Sequence, residues 1–159
     1  AADGRVDTLA VDRLASGRGH GEPLSLMIDL ERGVEILDVR VHRPDGRLIF
    51  ATRNGFGFVA EEKEIAAQTR AGRQVVNLSE GDTLLTAVPV EGDLVAAAGS
   101  NRKVLVFPVA ELPVQARGKG VTLMRLKGAE LVDLKTLDAA QGLTWSANGK
   151  EYPYNDQDA

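Results

Sequence analysis

The stretch LERGVEIL (30–37) returns as LSEGDTLL (78–85), and its second half returns again within GAELV (128–132). Leu30, Gly33, Ile36 and Leu37 match Leu78, Gly81, Leu84 and Leu85 at an offset of 48, and the last three of these match Gly128, Leu131 and Val132 at a further 47. A second block agrees: Arg53 and Phe58 line up with Arg102 and Phe107 at an offset of 49. The glycine turns TRAGRQV (69–75) and ARGKGV (116–121) open successive units. Three units result, 16–68, 69–115 and 116–154, followed by a polar tail at 155–159. Residues 1–15 read as the end of a preceding unit: Gly4-Arg5-Val6 resembles Gly46-Arg47-Leu48, and Val11 to Leu14 resembles Val109 to Leu112. A period of roughly 20 to 50 residues is the mark of stacked repeats, in which each unit buries its face on its neighbours.

Inside a unit the apolar period is two. Leu24, Leu26, Ile28 and Leu30 alternate with Ser25, Met27 and Asp29, and Leu37, Val39 and Val41 alternate with Asp38, Arg40 and His42, which predicts strands over both runs. Turn residues separate the runs at Pro44-Asp45-Gly46, Asn54-Gly55, Glu80-Gly81-Asp82, Glu91-Gly92-Asp93 and Asn148-Gly149. About four short strands per unit follow from that spacing. EEKEIAAQ (61–68) has helical composition, but its counterpart PVAELPVQ (108–115) carries two prolines. The shared conformation is therefore expected to be an extended connection or one short turn. Repeats near this length favour radial stacking over a single sandwich of about twelve strands.

Composition agrees. The 159 residues suffice for one domain with a core, and 43% hydrophobic with 26% charged residues is ordinary globular usage. Seventeen glycines against 4% aromatics suit many tight turns between short strands. The absence of cysteine removes disulfides and thiolate metal sites and fits a reducing cytoplasm. No apolar run approaches the roughly 20 residues of a membrane-spanning helix. The chain does not open on Met and reads as a domain cut from a longer protein. His20 and His42, 22 residues apart, have no zinc-ligand spacing. Gly55 to Ala60 matches the letters of a dinucleotide fingerprint, but a strand follows where that motif needs a helix. Gly118-Lys119-Gly120 lacks the rest of a phosphate-binding P-loop, and no nucleophile elbow occurs. Trp145 is expected to be buried in the last unit, and Tyr152 and Tyr154 to lie on an edge strand. Neither catalysis nor a cofactor is expected of this chain.

The basic residues carry the functional signal. Net charge is −4, and by unit it is −1 over 1–15, −2 over 16–68, −1 over 69–115 and 0 over 116–159, so bulk attraction to a polyanion is excluded. Binding must come from a local edge. Arg70 and Arg73 flank the turn opening the second unit, Arg117 and Lys119 the turn opening the third, and Arg18 and His20 the GRGHGEP turn (17–23) of the first. Repetition places these turns along one rim, where glycines let backbone N–H groups approach a phosphate and the cations neutralise it. Arg53 and the pair Arg102 and Lys103, in the second matched block, complete the candidate set. A solvated turn is the ordinary alternative for each of them. The same strand pattern would also suit a propeller that binds other proteins.

GRGHGEP with LSLMIDL, then TRNGFGFV, TRAGRQVVNL, NRKVLVFP and ARGKGVTLMRLKG, resembles in order the C-terminal domain of the bacterial type IIA topoisomerase A-type chain, closer to topoisomerase IV than to gyrase. The resemblance implies an all-β fold, a β-pinwheel of four-stranded blades that exchange strands, here about three blades with a strand of a preceding one. It implies a rim that binds and bends duplex DNA, partnership with the rest of the A-type chain and with the B-type chain in an A2B2 enzyme, and a cleavage tyrosine and ATPase located elsewhere. The isolated domain is expected to be monomeric. Gln115-Ala116-Arg117-Gly118-Lys119-Gly120 is the nearest relative of the gyrase wrapping box Q-R/K-R-G-G-R/K-G, one basic position and one glycine short. That departure counts against gyrase-type wrapping and fits decatenation and relaxation.

Overall fold

The computed structural model describes residues 1–15, 17, 19–140, 143–147 and 150–154. Strands dominate: β1 (Arg5–Val6), β2 (Arg47–Thr52), β3 (Phe56–Glu61), β4 (Arg73–Gln74), β5 (Leu84–Pro89), β6 (Leu94–Gly99), β7 (Val104–Pro108), β8 (Val121–Thr122), β9 (Leu131–Leu137), β10 (Leu143–Ala147) and β11 (Lys150–Tyr154). Among the described residues helix is confined to one α-turn, α1 (Glu62–Ile65), and 3-10 turns at Val11–Arg13, Leu24–Leu26 and Val109–Glu111. Of the extended connection or one short turn expected at 61–68 the structure has the turn, α1, and its proline-bearing counterpart is the 3-10 turn at Val109–Glu111. No helix among the described residues is long and apolar enough to cross a membrane.

The sheets run β5-β2-β3-β8, β7-β6-β9, β1-β4 and β10-β11. Each central hairpin takes its flanking strand from the next unit along the chain. Thus β5 pairs antiparallel with β2, and β9 with β6, and both ladders slip at corresponding points, between Ala51 and Thr52 and between Ala98 and Gly99. Strand exchange explains why an isolated unit, cut from the sequence, is not itself a blade.

The ladders fix the true repeat. Ala51 faces Gly57 and Ala98 faces Val104, an offset of 47 rather than the 49 that aligns Arg53 with Arg102. Arg102 therefore occupies the turn position of Gly55, and both adopt positive φ, 64° and 88°. A side chain there is strained by about 1 kcal/mol. Arg102→Gly is expected to raise stability by up to about 1 kcal/mol in urea unfolding.

Two further expectations change. The Gly4 carbonyl accepts from Val75 N at 3.0 Å as the Gly55 carbonyl accepts from Leu123 N at 2.7 Å. Gly4-Arg5-Val6 thus corresponds to Gly55-Phe56-Gly57 at the start of β3, not to Gly46-Arg47-Leu48. The predicted strands at 24–30 and 37–42 are absent: Leu24–Leu26 is a 3-10 turn, and 35–43 is irregular. At the offset of 48 that aligns Gly33 with Gly81, 36–41 corresponds to β5, whose partner is β2 of the preceding blade. No described strand stands in that place for 36–41, and an unpaired strand has no ladder to define it. Val39 and Val41 are consequently each 81% exposed.

Alternation along β2 and β3 feeds two cores. Leu48, Phe50, Phe58 and Ala60 join Ile65, Val75, Val76 and Leu84, while Ile49, Ala51 and Val59 join Val95, Ala97, Val109, Leu112, Leu123, Met124, Leu131 and Leu134. A sheet buried on both faces between its neighbours is the stacking that the repeat demands. Phe50 and Phe58 stack with ring centroids 5.7 Å apart. Among the described residues β10 and β11 form a separate hairpin in which Trp145 pairs in register with Tyr152. The expectations for the side chains of Trp145, Tyr152 and Tyr154 lie outside what is described.

Candidate nucleic-acid interface

The segment from Pro113 to Leu123 is strapped across two blades by its backbone. Val59 N donates to Pro113 O (2.9 Å) and Gln115 N to Val59 O (2.8 Å); then Gly118 N donates to Val75 O (3.0 Å), and Asn77 N returns to Gly118 O (2.9 Å). β8 then pairs with the first residues of β3, Phe56 with Thr122 and Gly57 with Val121. Gly120 has φ +81°, and a Cβ on it would strike the carbonyl of Gly57. Only glycine lets the strap lie this close to β3.

A turn held by so many backbone bonds presents its side chains at fixed positions. Arg117 and Lys119 are both exposed. Lys119 Nζ lies 4.1 Å from the centroid of the Phe56 ring, a contact that orients the ammonium without neutralising it. Arg117 donates from Nε to Asn77 Oδ1 at 3.3 Å, and among the described residues the other nitrogens of its guanidinium have no partner.

The turn at 69–73 is built alike but used differently. Asp29 N donates to Arg70 O at 3.0 Å, matching the bond from Asn77 N to Gly118 O. Arg70 donates from Nε to Asp29 Oδ1 (3.0 Å), from one terminal nitrogen to Leu26 O (2.9 Å) and from the other to Ser25 O (2.9 Å). Its charge is matched by a carboxylate, and it fastens the 25–29 segment. Arg73 is exposed on β4, opposite Val6. His20 is exposed, whereas Arg18 lies outside the described residues.

Beside this turn, Asp7 Oδ1 is buried without a hydrogen-bond partner. Burial pushes the Asp7 carboxyl above the ordinary carboxylate range, opposed by the nearby Arg5 guanidinium. A raised folded-state pKa means a contribution to stability that is full below the ordinary carboxylate pKa and lost as pH rises through the folded value. Asp7→Asn is therefore expected to raise Tm at pH 7, with the gain shrinking toward pH 4 in a thermal melt series.

The hairpin turns add a second set of cations. Arg53 N donates to Thr83 O and Arg53 O accepts from Leu131 N, so this turn reaches the start of β9. Its guanidinium stands 4.0 Å from Glu130. Arg102 and Lys103 project from the equivalent turn of the next blade. Between the two turns lies Leu126: it would touch a Cβ on Gly55 at 3.1 Å and one on Gly99 at 2.8 Å. Its neighbours Arg125 and Lys127 are exposed there. Neither Arg125 nor Lys127 stands out in the sequence as a candidate. The available signal was register: Arg125 follows Leu123 as Asn77 follows Val75.

Strand-exchanged repeated sheets crossed by a glycine-bearing cationic strap define a pinwheel-type repeat domain, the class expected from the sequence. The chain belongs to the DNA gyrase C-terminal domain family, a β-propeller family, which it matches over residues 46–91 and 93–138. The A-type chain of DNA topoisomerase 4 from Rickettsia bellii is 40% identical over 149 residues, covering 94% of this chain and 20% of that protein. Its counterpart from Caulobacter vibrioides is 40% identical over 144 residues, covering 91% of this chain and 19% of that protein. The chain thus spans about a fifth of the length of these curated relatives. The solved C-terminal domain of Escherichia coli ParC is similar with a TM-score of 0.87 and 26% identity, over 98% of this chain and 67% of that one.

Proposed function

We propose that this chain is the duplex-DNA-binding accessory domain of the A-type chain of a topoisomerase IV. It binds with little sequence preference and bends the duplex, steering DNA segments toward decatenation and relaxation by the full enzyme. In this reading the rest of the A-type chain and the B-type chain supply cleavage and ATP hydrolysis, the domain needs no cofactor of its own, and it works in the bacterial cytoplasm.

The observation that carries the proposal is the strapped turn with Arg117 and Lys119 exposed above it. A phosphate approaching this turn meets two fixed charges, with Arg53, Arg125 and Lys127 near the adjoining turn and Arg102 and Lys103 beyond. Phosphate contacts of this kind fix position without reading bases. The isolated turn, one cation and one glycine short of the gyrase box, supports a bend rather than a full wrap.

The test is titration of duplex DNA against the chain at several salt concentrations. Each neutralised phosphate contributes about 0.9 to the slope of log K against log salt. Affinity that falls steeply with salt and is equal for unrelated duplexes supports the proposal; no association at low salt refutes it.

A further inference from the structure

Successive units place different charges at one structural position. Asp29 and Asn77 stand 48 residues apart, and each donates its backbone N–H to the turn that opens the next unit, to Arg70 O at 3.0 Å and to Gly118 O at 2.9 Å. Each side chain then accepts from an arginine Nε of that same turn: Asp29 from Arg70 at 3.0 Å, Asn77 from Arg117 at 3.3 Å. The arginines are not themselves equivalent in register, since Arg117 precedes the carbonyl-bearing Gly118 while Arg70 bears the carbonyl itself. Both nevertheless reach the same acceptor position. In the third unit that position is Arg125, two residues beyond Leu123 as Asn77 is two beyond Val75.

We infer that this position sets the charge with which the arginine of each rim turn meets a polyanion, and that Asp29 silences Arg70 while Asn77 leaves Arg117 active. The pair Arg70 and Asp29 is electrically neutral. Arg117 with Asn77 retains one positive charge, and Arg125 adds another. The rim is graded, with Arg73 left at the turn at 69–73 against Arg117 and Lys119 on the strap, so duplex DNA engages the C-terminal side of the chain more strongly. Asn at position 29 is a conservative probe, because Asn77 shows that an amide oxygen accepts the same arginine bond. Asp29 also borders a shallow recess shared with Arg5 and Glu31, whose charges the substitution leaves in place.

This inference rests on the DNA-binding reading, and the experiment separates the two. Parent chain, Asp29→Asn, Asn77→Asp and, as a control with the same change of charge, Glu64→Gln on the exposed side of α1 are titrated with one duplex across a salt series, with thermal melts to confirm folding. If Asp29→Asn leaves the charge of Arg70, still held by Ser25 O and Leu26 O, uncompensated so that it neutralises one more phosphate, the salt slope steepens by about 0.9 and affinity at 0.1 M salt rises by up to about eightfold. Asn77→Asp is expected to do the reverse, and Glu64→Gln to leave the slope unchanged. The inference is overturned if Asp29→Asn matches Glu64→Gln, or if folded Asn77→Asp keeps the parent slope. A parent chain that binds no duplex in any salt defeats the DNA-binding reading itself.

Discussion

Reversing both cations of the strap, Arg117→Glu with Lys119→Glu, should lower duplex affinity at 0.1 M salt by about 60-fold or more and flatten the salt slope by about 1.8. Those figures follow from removing two phosphate contacts, each releasing about 0.9 counterions; repulsion from the new carboxylates adds to the loss in affinity. Folding should be nearly untouched. Lys119 gives up a contact with Phe56 of about 0.5–1 kcal/mol, and Arg117 a long hydrogen bond of 3.3 Å to Asn77 at the exposed surface. A thermal melt within a few degrees of the parent, alongside the lost affinity, is the expected pair of results. Parent-like affinity and slope in the folded double variant would remove the strap from the DNA path.

The largest effect on stability is expected at Phe58. Its side chain is 0% exposed, stacks on Phe50 and lies in the core closed by Val75, Val76 and Leu84. Phe58→Ala should cost about 3–5 kcal/mol, the range for emptying a buried aromatic site, from a total that for a domain of this size is about 5–15 kcal/mol. The same position one repeat later provides the control. Leu105 faces Ala97 as Phe58 faces Phe50, yet it is 44% exposed. Val75, Val76 and Leu84 close over Phe58, whereas the core cluster that takes Ala97 does not include Leu105. Leu105→Ala should therefore cost less than about 1.5 kcal/mol. Equal losses for the two variants in denaturant unfolding would contradict the packing that distinguishes them.

Much of the architecture was legible because a repeat is written in one dimension. LERGVEIL and LSEGDTLL announce a period, two-residue alternation announces strands, and the prolines of 108–115 limit the helix at 61–68 to a turn. Register was less accessible. An arginine pair suggested an offset of 49 where hydrogen bonding imposes 47, because side-chain identity at an exposed turn is weakly constrained while ladder partners are not. The failed strands at 24–30 and 37–42 have a related cause: alternation specifies which face a residue would occupy, but a strand exists only where another backbone is present to pair with it.

The order of glycine turns, the acidic total and the clustering of cations at the unit boundaries were thus set by the chain of letters alone, since local φ preference and charge are properties of residues. The fates of Arg70 and Arg117 were decided only by folding. The fold carries Asp29 to one and Asn77 to the other, across 41 and 40 residues of sequence, so that one arginine is neutralised and the other keeps its charge. The charge of a surface turn depends on what is packed beside it, and that neighbour is chosen by tertiary structure.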